Sequence, residues 1–473
     1  SSSTSWRCCP GGLLFSFVLV RFCTPFQTAA FLLYLSLAIV LVQTWRQHRI
    51  AAVAAVLVIA AFSVGTIRFN PEARTLSALV YGQPVLYHRT SFSGHIIVTG
   101  TDEQVTIYEN GIPTGATGDP AAGEEIVHYA LAQHTAPKKV LLVSGGLTGA
   151  VSEILKYPVE RVDYVEPDPV MLDVTSRVID LERDPRVQLV SGDPRRFLRH
   201  GDNRYDAILV NLSEPRTVHV NRFYTVEYFK EVRRALRDDG VFSFTFPGLE
   251  NYAGRETRLL LSSVYASLTS VFPDVLIVPG RRQVFVAAGP QRPLDIGIPQ
   301  RLRTLGIPTV YVRDDYFRAK TRPDRLSQAQ EAVSMPAPLN RDFQPVTCYV
   351  HLKYWLRQSQ SNLVLPLTAI AGIAILLITL LYRQRRVVTA AVAASGFAAM
   401  GLKMVLLIIF QSYSGYVYHH ISLLIAVFMA GAAAGAACGR WLRTAPGPVF
   451  RRLDIGLALI ALGLCTLTAA APS

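Results

Sequence analysis

The stretch YDAILVNLSEP, residues 205–215, runs apolar and then stops at Asn211, Ser213, Glu214 and Pro215. In a doubly wound α/β sheet, the carboxyl end of a strand is where ligands are met and chemistry is done. A carboxylate at position 211 could take a proton from an attacking amine. The amide of Asn211 can hydrogen-bond, but it cannot act as a base near neutral pH. Three further groups fall at comparable places. Gly145, Gly146 and Gly149 follow the apolar run Val140–Val143 and lead into a helix whose free N–H groups could face a ligand. Glu166 ends the next strand, where one carboxylate can accept hydrogen bonds from both hydroxyls of a ribose. Asp193 closes Ser191-Gly192-Asp193 after a third strand, Val187–Val190. Singly, a glycine turn also serves plain packing, and an acid at a strand end also stands in solvent. In this order and spacing they read as a nucleoside site.

The elements that must hold these residues are legible from periodicity. Residues 85–112 alternate as short strands with turn signals, which predicts a small antiparallel sheet within 68–136. From Lys138 the pattern becomes strand, glycine turn, helix, strand, which predicts a Rossmann-like domain over 137–362. The six cysteines (8, 9, 23, 348, 438 and 465) show no metal-ligand spacing, so no metal site is expected.

The flanks have a different composition. Twelve of the 47 Lys and Arg residues but one of the 34 Asp and Glu residues lie before Ile67 or after Asn362, so about +11 of the net +13 belongs to the flanks. A charge excess confined to apolar flanks is no nucleic-acid footprint; it is the pattern of membrane loops. Apolar runs near 28–45, 50–67, 363–382, 387–410, 421–438 and 454–471 are long enough to cross about 30 Å of hydrocarbon. The fold class expected is thus a multi-span α-helical membrane protein carrying an inserted α/β Rossmann-like domain and a small N-terminal β-sheet. The membrane regions would be 1–67 and 363–473. Arg46–Arg49, Arg383–Arg386 and the 440–452 loop each join consecutive spans. The positive-inside rule places them in the cytoplasm and the middle domain outside it, in a multi-pass protein. The abrupt ends, Ser1 and Ser473, suggest a chain incomplete at both termini.

Several longer motifs carry a family resemblance. They are YENG at 108–111, EEIVHYALAQH at 124–134, the glycine turn, VEPDP at 165–169, DPRVQLVSGDPRRFL at 184–198, RFYTVEYFKEVRRALRDDGVF at 222–242 and LNRDFQPVTCYVHLKYWL at 339–356. With GFAAMGLKMVLLIIFQ at 396–411 and FMAGAAAGAACG at 428–439, the chain resembles the membrane-bound spermidine synthase-like (polyamine aminopropyltransferase-like) family. The resemblance implies a methyltransferase-type fold that binds S-adenosylmethionine or its decarboxylated form. In such enzymes the amine of putrescine attacks the methylene beside the sulfonium and methylthioadenosine leaves.

Carried over residue by residue, the resemblance is uneven. Gly145, Gly146 and Gly149 match the family's glycine turn, Glu166 its ribose-binding acid, and Asp193 its acid near the adenine amino group. The amine half departs from the pattern. The acid inside the turn falls on Leu147, a tyrosine before the helix glutamate falls on Ala122, and the catalytic aspartate falls on Asn211. Glu124 and Glu214 are left as partners for an amine. Two cationic amines would lack most of their charge-assisted hydrogen bonds there. The function expected is a noncatalytic structural or accessory subunit of a membrane complex, with lipid and other membrane or periplasmic subunits as partners and no cofactor required. The alternative is an active aminopropyltransferase, or a related adenosylmethionine-dependent transferase with an altered substrate, in which Glu214 takes the place of the lost base.

Overall fold

The structure, a computed structural model, describes residues 83–358 apart from 92–93, 102–103, 110, 179–183, 202–203, 216, 249–253 and 281, together with isolated positions within 30–78 and 368–435. Four strands form a first sheet: β1 (Val85–Thr90), β2 (His95–Thr101), β3 (Gln104–Glu109) and β4 (Ile112–Ala116), paired in chain order and antiparallel throughout. This sheet and a helix at Pro169–Val178 belong to one compact unit; the remaining elements below belong to a second.

The second unit is built on a seven-stranded sheet. Helix α1 (Pro120–Leu131) leads into β5 (Lys139–Val143), the glycine turn, the short helix α2 (Ala150–Ile154) and β6 (Arg161–Glu166). After the helix at Pro169–Val178, here α3, come β7 (Val187–Ser191), α4 (Pro194–His200), β8 (Tyr205–Val210), α5 (Val218–Asn221), α6 (Val226–Ala235) and β9 (Leu236–Pro247). Helix α7 (Arg255–Thr269) and the hairpin β10 (Asp274–Val278) and β11 (Arg282–Ala288) follow. Helices α8 (Ile298–Thr304), α9 (Asp314–Lys320), α10 (Pro323–Ala332) and α11 (Val346–Gln358) complete the unit. The strand order is β10-β11-β9-β8-β5-β6-β7. The five strands from β9 to β7 are mutually parallel, and β11 and β10 are added antiparallel. The order reverses between β5 and β8, so the crevice above those two strands is the switch point where such sheets take ligands.

The composition of the strands explains the topology. Every residue of β8 and four of the five in β5 are buried, as required of parallel strands covered on both faces by helices. One face is filled by an aromatic cluster: Phe244 of β9 and its cross-strand partner Phe285 of β11 stack at 5.0 Å, with Phe229 and Phe242 against them. At the amino end of the sheet, buried Asp206 accepts from the backbone N–H groups of Lys138 and Lys139 at 2.8 Å each and from Arg237 at 2.8 Å. That single carboxylate ties the starts of β5, β8 and β9 together.

The expectation of a multi-span membrane fold is corrected to an α/β fold with two sheets. Among the described residues no helix is long and apolar enough to cross a membrane. The longest helix given above, α7, has 15 residues and carries Arg255, Glu256 and Arg258 in its first turn; at about 22 Å it falls short of about 30 Å of hydrocarbon. The six expected spans lie mostly outside the described residues. So do the loops 46–49, 383–386 and 440–452 on which the expected sidedness rests.

In the first unit, Glu109 at the end of β3 and the buried Asp168 repel one another. Asp168 accepts from the Val170 N–H at 2.9 Å, which fixes it at the start of α3. Burial first, and the Asp168 charge second, push the Glu109 carboxyl up to about 7. Glu109 binds its proton more tightly folded than unfolded, so its penalty is absent below its ordinary value and grows as pH rises toward 7. Stability should therefore fall between about pH 4.5 and pH 7 by an amount on the order of 2–3 kcal/mol and level off above. Denaturant titrations across that range check this. Glu109→Gln should remove the slope, and an unchanged slope in that variant would refute the assignment.

Candidate functional site

The carboxyl edge of the seven-stranded sheet brings the expected site residues into one row. Following the strand order from the β7 end, it carries Asp193 after β7, Glu166 at the end of β6, the glycine turn after β5 and Asn211 after β8. The backbone sets this locally. The Ser144 N–H donates to Val165 O at 3.0 Å and the Asn211 N–H to Val143 O at 2.9 Å, extending the ladder one step past each strand end. The chain then turns sharply through left-handed conformations at Ser144 (φ 59°) and Gly145 (φ 81°). A side chain at 145 would also collide with Asn211: a β-carbon there would stand 2.1 Å from its Nδ2. On the other side, α1 is seated against the turn so closely that a β-carbon on Gly123 would lie 2.4 Å from Thr148 O.

Glu166 is buried and held in place. The Tyr164 hydroxyl donates to its Oε2 at 2.8 Å and accepts from the Gly146 N–H at 3.3 Å, so the acid and the glycine turn are coupled through one tyrosine. Asp193 caps α4, accepting from the Arg195 N–H at 2.9 Å, and the same oxygen pairs with the buried guanidinium of Arg222. Asp193 thus reaches the edge already engaged in two interactions of its own.

Glu124 occupies a different setting from that of an amine partner. It is fully buried in α1, and its two oxygens accept from the backbone N–H groups of Val310 at 2.5 Å, Tyr311 at 2.8 Å and Val312 at 2.8 Å. Its work is to pin the 310–312 loop. Glu214 is half-buried on the loop after β8. That loop is fastened by Tyr224, whose hydroxyl donates to Ser213 O at 3.1 Å. Leu147 is buried within the glycine turn.

Two residues absent from the sequence reading complete the site. The Oδ1 of Asn211 accepts from Arg282 Nη2 at 2.7 Å and from the Thr245 hydroxyl at 3.0 Å, and Arg282 Nη2 also lies 2.7 Å from Thr245 Oγ1. Thr245 lies near the end of β9 and Arg282 starts β11. Because β11 runs antiparallel, its first residue returns to the edge where the parallel strands end. They stand 34 and 71 residues beyond Asn211, and no local motif announces either. The position expected to hold a base therefore holds an amide bonded to a guanidinium. Tyr224 registers the local charges: burial pushes its hydroxyl above the ordinary range, Arg282 opposes this, and Glu214 adds to it. His219, beside Phe223, is lowered to about 4 by burial and then by Arg222, so it is neutral near pH 7.

Comparison with known proteins follows the same residues. Residues 120–252 match the spermine/spermidine synthase domain family. The chain carries a spermidine synthase-like domain. It is 29% identical over 192 residues to a polyamine aminopropyltransferase of Korarchaeum cryptofilum, covering 40% of this chain and 53% of that protein. It is 27% identical over 250 residues to one of Oceanobacillus iheyensis, covering 49% and 48%. The chain thus spans about half the length of the curated relatives it matches. Among solved structures, spermidine synthase from Thermotoga maritima aligns with a TM-score of 0.44 at 23% identity, over 54% of this chain and 89% of that one.

The packing at the turn gives a direct test. Gly145→Ala should destabilise the spermidine synthase-like domain by more than the roughly 1–2 kcal/mol of a left-handed alanine, because the new methyl also displaces Asn211. In an Asn211→Gly background the excess should shrink, giving a coupling of about 0.5–3 kcal/mol in a double-mutant cycle by denaturant unfolding. Additive losses would show that the two residues do not touch.

Proposed function

We propose that this domain binds an adenosine-containing ligand across Asp193, Glu166 and the Gly145–Gly149 turn and does not transfer an aminopropyl group to a diamine. The bond from Arg282 to Asn211 carries the reading. Aminopropyl transfer must remove a proton from a cationic diamine, so it needs a base and carboxylates around the amine. Here the base position is an amide whose oxygen is already accepting from a guanidinium. Glu124, the nearest counterpart of a helix carboxylate for the amine, is saturated by three backbone N–H groups. A positive charge at that point also repels the substrate such an enzyme would need.

The nucleoside half is supported by the residues present. Glu166 is a buried acceptor tied to the turn through Tyr164, and the turn passes the switch point in left-handed backbone at Ser144, Gly145 and Gly149. S-adenosylmethionine or its decarboxylated form, if bound, would supply a sulfonium leaving group; the residues of this chain would orient it. A domain of this kind serves as a ligand-responsive or structural part of an assembly rather than as a polyamine synthase. One observation favours the rival reading of an altered transferase: Glu214 is a carboxylate near the same strand end whose charge acts on Tyr224.

Purified protein supplied with decarboxylated adenosylmethionine and putrescine should release no methylthioadenosine above the uncatalysed rate. A well-placed base contributes about 10²–10⁴-fold. Asn211→Asp should nevertheless restore little, because Arg282 would hold the new carboxylate ionised and weakly basic. Steady release by the unmodified chain, abolished by Glu214→Gln, would establish the transferase instead.

A further inference from the structure

We propose that the outer side of the helix layer α4, α6 and α11 docks on an anionic lipid surface, with the end of α11 entering the headgroup layer and the cations of α4 and α6 meeting lipid phosphates. No segment of the layer crosses the bilayer in this arrangement, and it is independent of the nucleoside reading above. One core defines the layer. Leu198 of α4, Phe229 of α6, Leu261 of α7 and Val350 of α11 all belong to the same buried cluster, so the opposite sides of these helices face outward together. Ion pairs fasten them side by side: Arg195 of α4 binds Glu231 of α6 at 2.6 Å and Asp342, just before α11, at 2.8 Å.

The charge left over on this side has one sign. The acids of α4, α6, α11 and the segment 340–345 are Glu227, Glu231 and Asp342, and each is paired with an arginine. Glu231 is shared between Arg195 and Arg199, at 2.6 Å from each. Arg196 on α4 and Lys230 and Arg234 on α6 are exposed, and no acid among the described residues pairs with them. Lys230 and Arg234 are four residues apart, on the side of α6 away from its buried Phe229 and Val232. Each Lys or Arg so placed adds to the attraction of an anionic lipid surface.

Cations alone would equally fit an acidic protein; α11 decides for lipid. Its first half is seated on α7, with Val350 buried, but from Leu352 to Tyr354 every residue is exposed. Tyr349, Leu352 and Tyr354 are 59%, 53% and 47% exposed. The end of the helix therefore stands clear of the core and presents two tyrosines and a leucine to its surroundings. Lys353 lies along this apolar surface, its Nζ 4.5 Å from the centroid of the Tyr349 ring. Tyrosine and lysine each combine an apolar body with a polar tip, the form suited to the boundary between headgroups and acyl chains. A bilayer surface takes the rings and Leu352 at that boundary and the cations of α4 and α6 at its phosphates. An acidic protein face satisfies only the cations.

The test is hydroxyl-radical footprinting of the full chain with vesicles of phosphatidylcholine, alone or in a two-to-one mixture with phosphatidylglycerol. It reads individual side chains, so attachment through any other segment does not produce the signal. The mixed vesicles should protect Tyr349, Leu352 and Tyr354 several-fold, and pure phosphatidylcholine much less. Tyr311, on the loop pinned by Glu124, is the control and should stay reactive. Lys230→Glu combined with Arg234→Glu should need about 10- to 100-fold more mixed lipid for the same protection. Arg196→Glu, on the other helix, should shift it in the same direction and guards against a local fault in α6. Tyrosines of α11 that react equally with and without mixed vesicles, or protection that is the same on pure phosphatidylcholine or unmoved by both charge reversals, would overturn the proposal. Protection by polyglutamate and not by vesicles would assign the surface to an acidic protein instead.

Discussion

The contact between Gly145 and Asn211 is the constraint around which the sheet edge is arranged. Parallel pairing of β5 with β8 brings the two strand ends side by side, and the Asn211 N–H closes on Val143 O. The chain leaving β5 must then turn within one residue, through left-handed backbone, with Asn211 filling the space a β-carbon would need. Asn211 in turn fixes where Arg282 and Thr245 end, since both bond its oxygen. The amide therefore joins three strands, β8, β9 and β11, and one turn. Asn211 is thus part of the framework of the sheet edge as well as of the candidate site.

Several residues of the family motifs are ties between distant segments. Arg195, from DPRRFL, is buried and donates to Glu231 at 2.6 Å and to Asp342 at 2.8 Å, so it clamps α4 to α6 and to the segment before α11. Asn340 donates to Asn221 at 2.8 Å and to Tyr224 O at 2.9 Å, and its own N–H donates to Ser267 at 2.7 Å. These are buried polar groups with their partners in place, and removing one partner leaves the other unsatisfied at a cost of about 1–3 kcal/mol. His128 belongs to the same class: fully buried, it bridges Tyr157 and Glu153 at 2.9 Å each. A sequence motif rich in polar residues thus has a structural role of its own.

The charged groups of the unit differ in what they hold. Asp206, Glu124 and Asp193 are carboxylates engaged with backbone N–H groups or arginines. Glu166 is set apart by its place at the edge, tied to a tyrosine that itself touches the turn. Arg282 is a cation at the same edge, donating to Asn211 and to Thr245.

The sequence by itself determined the nucleotide-type α/β domain. Gly145, Glu166 and Asp193 sit at strand ends, apolar runs of buried strands precede them, and both signals are local, spanning a few residues each. The small antiparallel sheet was legible for the same reason. Hydropathy and charge pattern suggested a multi-span membrane fold, whereas among the described residues no helix is long and apolar enough to cross. Tertiary structure alone decided what surrounds Asn211. Arg282 reaches it because β11 is antiparallel and returns its first residue to the carboxyl edge, and Glu124 pins a loop nearly 190 residues later that donates three N–H groups to it. Such pairings depend on which strands adjoin and which way they run, and no window of neighbouring residues encodes that.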